Sequence, residues 1–246
     1  MNDAVDPSSR RHWLMGSLAA LAGIGNGGLG RTAQTAVEAR AVSGFDRVLW
    51  EAVGELAIEQ TQRERLTIEA EPAVLARIVT EVRQGRLSIG FGAGSVQTRQ
   101  PIRFRLELRS LSALETRGSG MLRIGPLSTP ALSLRLAGSD ELRIAQLNAD
   151  TLDARLEGSG DLTIDAGQVA RQRIVITGAA NYAALRMASR EADVAIDGSG
   201  ELRLAVAERL DARISGSGDV LFVGQPRVSQ VVTGAGEVRR LGGGQT

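Results

Sequence analysis

One phrase returns through the second half of the chain and limits what the chain can fold into. It reads Gly-Ser-Gly-Met-Leu-Arg-Ile from Gly118, Gly-Ser-Asp-Glu-Leu-Arg-Ile from Gly138 and Gly-Ser-Gly-Asp-Leu-Thr-Ile from Gly158. It continues from Gly178, Gly198, Gly216 and Gly234, so that successive leading glycines lie 20, 20, 20, 20, 18 and 18 residues apart. A fixed period of about 20 residues with one turn phrase per period is the pattern of a solenoid, each copy forming one coil stacked on the last. Within a copy, as in Glu141-Leu142-Arg143-Ile144, apolar and polar residues alternate as they do on a half-buried strand. A helix is excluded, because each period carries a glycine turn that would break it. The leading glycines are the expected structural turns, since a sharp corner needs a positive φ or a site free of side chain.

Two inward ladders follow from this alignment. One is Leu122, Leu142, Leu162, Tyr182, Leu202, Val220, Val238; the other is Ile124, Ile144, Ile164, Ala184, Leu204, Phe222, Arg240. The coil with Tyr182 and Ala184 exchanges a large residue for a small one between ladders, which conserves volume in a packed interior. Arg240 marks the end of the second ladder, where one face is open to water.

The expected organisation is an export signal and cleavage region at residues 1–41, a β-helix domain at 42–241 and a flexible tail at 242–246. Within the domain, residues 42–111 form irregular first coils and 112–241 the regular repeats. Gly54-Glu55-Leu56-Ala57-Ile58 and Gly85-Arg86-Leu87-Ser88-Ile89 repeat the Gly-x-Leu-x-Ile form and read as two further coils carrying insertions. The first insertion includes Glu71-Pro72-Ala73-Val74-Leu75, where Pro72 can open one or two helical turns. Residues 90–101 read as a loop, and Arg103-Phe104-Arg105-Leu106-Glu107-Leu108 as another strand.

Before the domain, Ser9-Arg10-Arg11-His12-Trp13 sets paired arginines against an uncharged run over residues 13–29 that is rich in Gly and Ala. This resembles a twin-arginine export signal, and Ala39-Arg40-Ala41 fits a small-x-small cleavage site, so a periplasmic or secreted mature chain starting near Val42 is expected. Six glycines between Gly16 and Gly30 argue against a stable membrane-spanning helix.

The order of the phrases Phe45-Asp46-Arg47-Val48, Leu56-Ala57-Ile58, Leu66-Thr67-Ile68-Glu69-Ala70, Thr80-Glu81-Val82 and Gly85-Arg86-Leu87, followed by repeated Gly-Ser-Gly-Asp-Leu, resembles the head GIN domain family of putative auto-transporter adhesins. The resemblance spans residues 45–241, with Val53-Gly54-Glu55-Leu56 standing where that family has its Gly-Ile-Asn phrase. It implies a right-handed single-chain parallel β-helix in the cell envelope or outside the cell. No run of membrane strands follows the repeats, so export without a translocating barrel is the expectation.

Composition removes several function classes. The net charge is +1, and aromatic residues are 3% of the chain, which gives no reason to expect nucleic acid. Cysteine is absent and the single histidine is His12, inside the signal, which excludes thiolate and imidazole chemistry from the domain. Carboxylates stack, Glu141 on Asp161 and Glu201 on Asp219 and Glu237, in a pattern that could hold Ca²⁺ or form the acid pair of a carbohydrate-active lyase or hydrolase. Arg143, Arg203 and Arg239 lie beside them, so offsetting stripes on a solvated face are the preferred reading. The serines at 119, 139, 159, 199 and 217 have no base nearby. No catalytic residue, metal site or cofactor is assigned. The expected function is a non-enzymatic binding or structural module. Its candidate ligand surface is two arginine columns, Arg123, Arg143 and Arg203 on one side of the corner and Arg135, Arg155 and Arg213 on the other. Planar guanidinium groups repeated at the coil spacing suit an acidic envelope polysaccharide, with an envelope protein as the other candidate partner.

Overall fold

The computed structural model describes residues 34–242. The paired arginines of the expected export signal and the tail from residue 243 lie outside the described residues. The irregular part runs β1 (Ala36–Arg40), β2 (Arg47–Glu51), β3 (Val53–Gln60), β4 (Arg65–Ala70), α1 (Pro72–Leu75), β5 (Ile78–Arg83), β6 (Arg86–Phe91), β7 (Arg103–Leu108) and β8 (Ala113–Thr116). The regular part runs β9 (Ser119–Gly138), β10 (Glu141–Gly158), β11 (Asp161–Ile164), β12 (Gly167–Gly178), β13 (Asn181–Gly198), β14 (Glu201–Gly216), β15 (Asp219–Val223), β16 (Arg227–Gly234) and β17 (Val238–Arg240). Together they form a β-solenoid of about 6 turns with parallel stacked strands.

The regular coils stack in the register the alignment implies. Leu122 pairs with Leu142, Leu142 with Leu162, Leu162 with Tyr182, Tyr182 with Leu202, Leu202 with Val220 and Val220 with Val238. These strands follow the glycine corners and make the leading face. The segments before the corners make the trailing face, where Leu134 stacks on Ala154, Ala154 on Ile174 and Ile174 on Val194. Inward residues of both faces are almost completely buried. At the corner, Gly158 has φ +110°, and a Cβ there would lie 2.6 Å from the Gly138 carbonyl oxygen. Gly118 does not share the positive φ, but a Cβ on it would lie 2.4 Å from the Ala52 oxygen. Close stacking of backbone on backbone is thus the common demand for glycine.

The coil with Tyr182 holds more than a volume exchange. The Tyr182 hydroxyl donates to Gln172 Oε1 at 2.7 Å, Gln172 Nε2 donates to Ser189 Oγ at 2.8 Å, and Ser189 Oγ donates to the Ala205 carbonyl at 2.6 Å. Gln172 stands where neighbouring coils have Leu152 and Ala192, so a polar chain replaces aliphatic contacts at this level of the interior. Burial raises the Tyr182 pKa well above that of an ordinary phenol.

The first coils differ from the expected plain continuation of the solenoid. The Gly54 phrase is a coil, with Leu56 on Leu122 and Ile58 on Ile124. The Gly85 phrase is not: Gln84 and Gly85 turn a hairpin between β5 and β6, which pair antiparallel, and Leu87 and Ile89 stack on Val48 and Trp50 of the trailing face. The strand stacked beyond β3 is β7, later in the chain, with Phe104 on Leu56 and Leu106 on Ile58. The coil of β2 and β3 therefore lies between the β6–β7 coil and the β8–β9 coil, and the chain crosses over it. Trp50 and Phe104 meet edge to face at 4.9 Å inside this region.

Antiparallel strands close this end. β4 pairs antiparallel with β7, and β1 with β4. The single turn α1, opened by Pro72, buries Val74 and Leu75. Arg40 ties the closure together, donating to the carbonyls of Ile78 at 2.7 Å and Leu75 at 3.1 Å and to Thr80 Oγ1 at 3.3 Å. β1 thus lies upstream of the expected domain boundary at residue 42, and processing at Ala41 would take this strand and Arg40 out of the fold.

Candidate functional site

The six arginines read as a ligand surface point outward, but five of them are occupied. Arg135 meets Glu157 at 3.0 Å, Arg143 meets Asp165 at 2.7 Å and Arg155 meets Asp153 at 3.6 Å. Arg203 meets Glu201 at 2.6 Å and Arg213 meets Asp193 at 3.2 Å. The hydrogen bond to Asp165 and that carboxylate's charge raise the Arg143 pKa above the ordinary arginine value. Among the described residues, Arg123 alone of the six makes no ion pair. Neither column is continuous: Thr163 and Ala183 separate Arg143 from Arg203, and Val175 and Ala195 separate Arg155 from Arg213.

The stacked carboxylates are tied into the leading face. Asn181 donates to Asp161 Oδ1 at 2.9 Å and accepts the Glu201 backbone N–H at 3.1 Å, and Asp219 Oδ1 accepts the Glu237 N–H at 3.0 Å. Among the described residues no group of three His, Cys, Asp or Glu side chains is placed to share a metal ion.

What the arginine pattern missed is on the leading face of the irregular coils. Pairing across β4, β7, β3, β9 and β10 sets Thr67, Arg105, Ala57, Arg123 and Arg143 in one row. Ala57, small and between two arginines, leaves a notch, and Arg105 and Arg123 flank it two strands apart, about 9–10 Å. Arg65, on β4 opposite Glu107, lines the same concavity, together with Val37, Met121 and the carboxylates Glu55, Glu69 and Glu107. Arg103 in the adjoining row is held by Glu55 at 3.5 Å and Glu69 at 3.8 Å. Arg65, Arg105 and Arg123 make no ion pair among the described residues, so three guanidinium groups are free around one concavity. The alternation Arg103-Phe104-Arg105 marks a strand, and stacking that strand on β3 was the step that would have found Arg105.

A parallel β-solenoid closed at one end by antiparallel strands, with outward charged ladders, is a single-chain repeat domain that presents surfaces rather than a deep cleft. The family profile described as "Putative auto-transporter adhesin, head GIN domain" matches residues 44–226, and the chain belongs to this family. A putative adhesin from Bacteroides fragilis has a similar structure, with TM-score 0.80 and 19% identity over 87% of this chain and 100% of that one. A putative adhesin from Parabacteroides merdae matches with TM-score 0.72 and 20% identity over 86% of this chain and 98% of that one. A putative lipid binding protein from Parabacteroides distasonis matches with TM-score 0.68 and 22% identity over the same shares, 86% and 98%. At these identities the likeness concerns the fold. Among curated proteins, none matches the chain. Among the described residues no helix is long and apolar enough to cross a membrane.

Proposed function

We propose that this domain is a non-enzymatic binding module working outside the cytoplasm, and that it holds an acidic glycan of the cell envelope through Arg65, Arg105 and Arg123. The observation that carries the reading is the contrast between these three unpaired guanidinium groups around the Ala57 notch and the five paired arginines elsewhere. A free guanidinium offers two parallel hydrogen bonds to a carboxylate or phosphate, whereas one already bound to Asp or Glu must first exchange partners. The adhesin description of the family and the paired arginines at Arg10 and Arg11 support export.

The test is binding of the full chain to acidic and neutral glycans at low and high salt. Binding should favour the acidic set, weaken with salt, disappear in Arg65→Ala/Arg105→Ala/Arg123→Ala and persist in Arg135→Ala/Arg155→Ala/Arg213→Ala. Recruitment that ignores salt or survives the first triple variant would remove the electrostatic mechanism and leave shape or a protein partner.

A further inference from the structure

The two ends of the solenoid are finished differently. One is closed by β1, β5, α1 and the three hydrogen bonds of Arg40. At the other, the last described strands are β16 on the trailing face and β17 on the leading face. Every residue of β16 is exposed. Val228, Gln230 and Val232 nevertheless face inward, over the buried Leu210, Ala212 and Ile214, and outward Val231 is 61% exposed. β17 is short and ends its inward ladder on Arg240, and an inward charge is a common guard against edge pairing. β16, with eight residues and no inward charge, has no such guard.

We infer that β16 pairs antiparallel with the same strand of a second copy, about a two-fold axis at Gln230. Directly opposed residues in an antiparallel pair face the same side, so this centre sets Val228 opposite Val232 and outward Ser229 opposite Val231. The two Gln230 amides meet, each offering a donor and an acceptor. Arg227, the only charge on the strand, falls opposite Thr233, so no like charges oppose. Moving the centre to Ser229 or Val231 separates Val228 from Val232, the two inward valines, and a slip of one residue sets inward against outward residues. Because the far end is closed, the pairing stops at a dimer instead of running on as a filament.

Sedimentation of the full chain over a wide concentration range should show a reversible monomer–dimer equilibrium. Val232→Arg should leave only monomer, with the circular dichroism of the folded chain unchanged and a thermal midpoint that no longer depends on concentration. The chain has no cysteine, so Gln230→Cys places one thiol at the axis. Opposed residues of an antiparallel pair have Cα atoms about 4.5–5.5 Å apart, within disulfide reach, so this variant should cross-link on oxidation far faster than Asn148→Cys, which is remote from β16. A chain monomeric at all concentrations, a dimer that survives Val232→Arg, or cross-linking at position 230 no faster than at 148 would each overturn the inference.

Discussion

Two glycines of one corner separate the demands that stacking makes on this backbone. A Cβ at Gly158 would lie 2.6 Å from the Gly138 oxygen, and a Cβ at Gly160 would lie 2.7 Å from the Asp140 oxygen, so the steric insults match. Only Gly158 has a positive φ, +110°. The repeat itself shows the difference: the third corner position is Asp140 in one coil and Ala180 in another, while the first is glycine in all seven copies, six of them at positive φ. Holding a side-chain-bearing residue in such a conformation costs about 1–3 kcal/mol. Pressing a methyl group against a packed neighbour adds about 1–3 kcal/mol, so Gly158→Ala should lose about 2–6 kcal/mol. Gly160→Ala meets only the second cost, about 1–3 kcal/mol before the strand gives way, and recovers about 0.4–1 kcal/mol through a stiffer unfolded chain. With about 2–4 °C per kcal/mol in a domain of this size, Gly158→Ala should lower the thermal midpoint by on the order of 10 °C and Gly160→Ala by a few degrees. Thermal unfolding followed by circular dichroism reads both. Equal shifts would show that contact with the coil below, and not φ, sets the glycine requirement.

Leu162→Ala should cost about 2–5 kcal/mol by opening a cavity between Leu142 and Tyr182, whereas exposed Arg143→Ala should move the thermal midpoint much less; equal shifts would reverse the inward and outward assignment. Tyr182 is the only tyrosine, and its raised folded pKa means that its contribution is complete below the unfolded value of 10.0 and is lost as pH rises beyond it. Tyrosinate absorbance should therefore appear together with alkaline unfolding; ionisation of the folded chain at the ordinary pH would contradict the burial. Arg40→Ala should cost about 1.5–3 kcal/mol, the worth of hydrogen bonds from a charged donor, and a chain starting at Val42 should lose more, both read from denaturant midpoints. Replacing Arg10 and Arg11 with Lys should block export in cell fractionation, and unchanged export would leave only the general secretion route.

The regular coils were legible because every copy carries its own register. Once Gly118 is aligned with Gly138, Leu122 must meet Leu142, and periodicity carries the ladder through to Val238. The irregular coils were not, because Gly85-Arg86-Leu87 and Gly54-Glu55-Leu56 are nearly the same text with different partners. Strand direction and stacking order depend on contacts between distant residues, such as Leu56 with Phe104, which alternation within one strand does not encode. The same limit applied to the site. Outward placement of Arg143 follows from alternation, but its neutralisation depends on Asp165, past the strand end in the next coil. Arg65 and Arg105 carry no repeat phrase at all: Arg105 joins Arg123 because β7 stacks on β3 out of chain order, and Arg65 joins them because β4 turns back antiparallel on β7.

Coils this alike create a hazard of their own: a chain can fold one whole period out of step and still set leucine on leucine. The polar chain from Tyr182 through Gln172 to Ser189 makes that error costly. Shifted by a period, Gln172 would face aliphatic neighbours with neither the tyrosine hydroxyl nor the serine in reach, and each stranded buried group costs about 1–3 kcal/mol. The one coil that breaks the leucine pattern therefore acts as an address in a run of near-identical sites, telling the folding chain which coil is which.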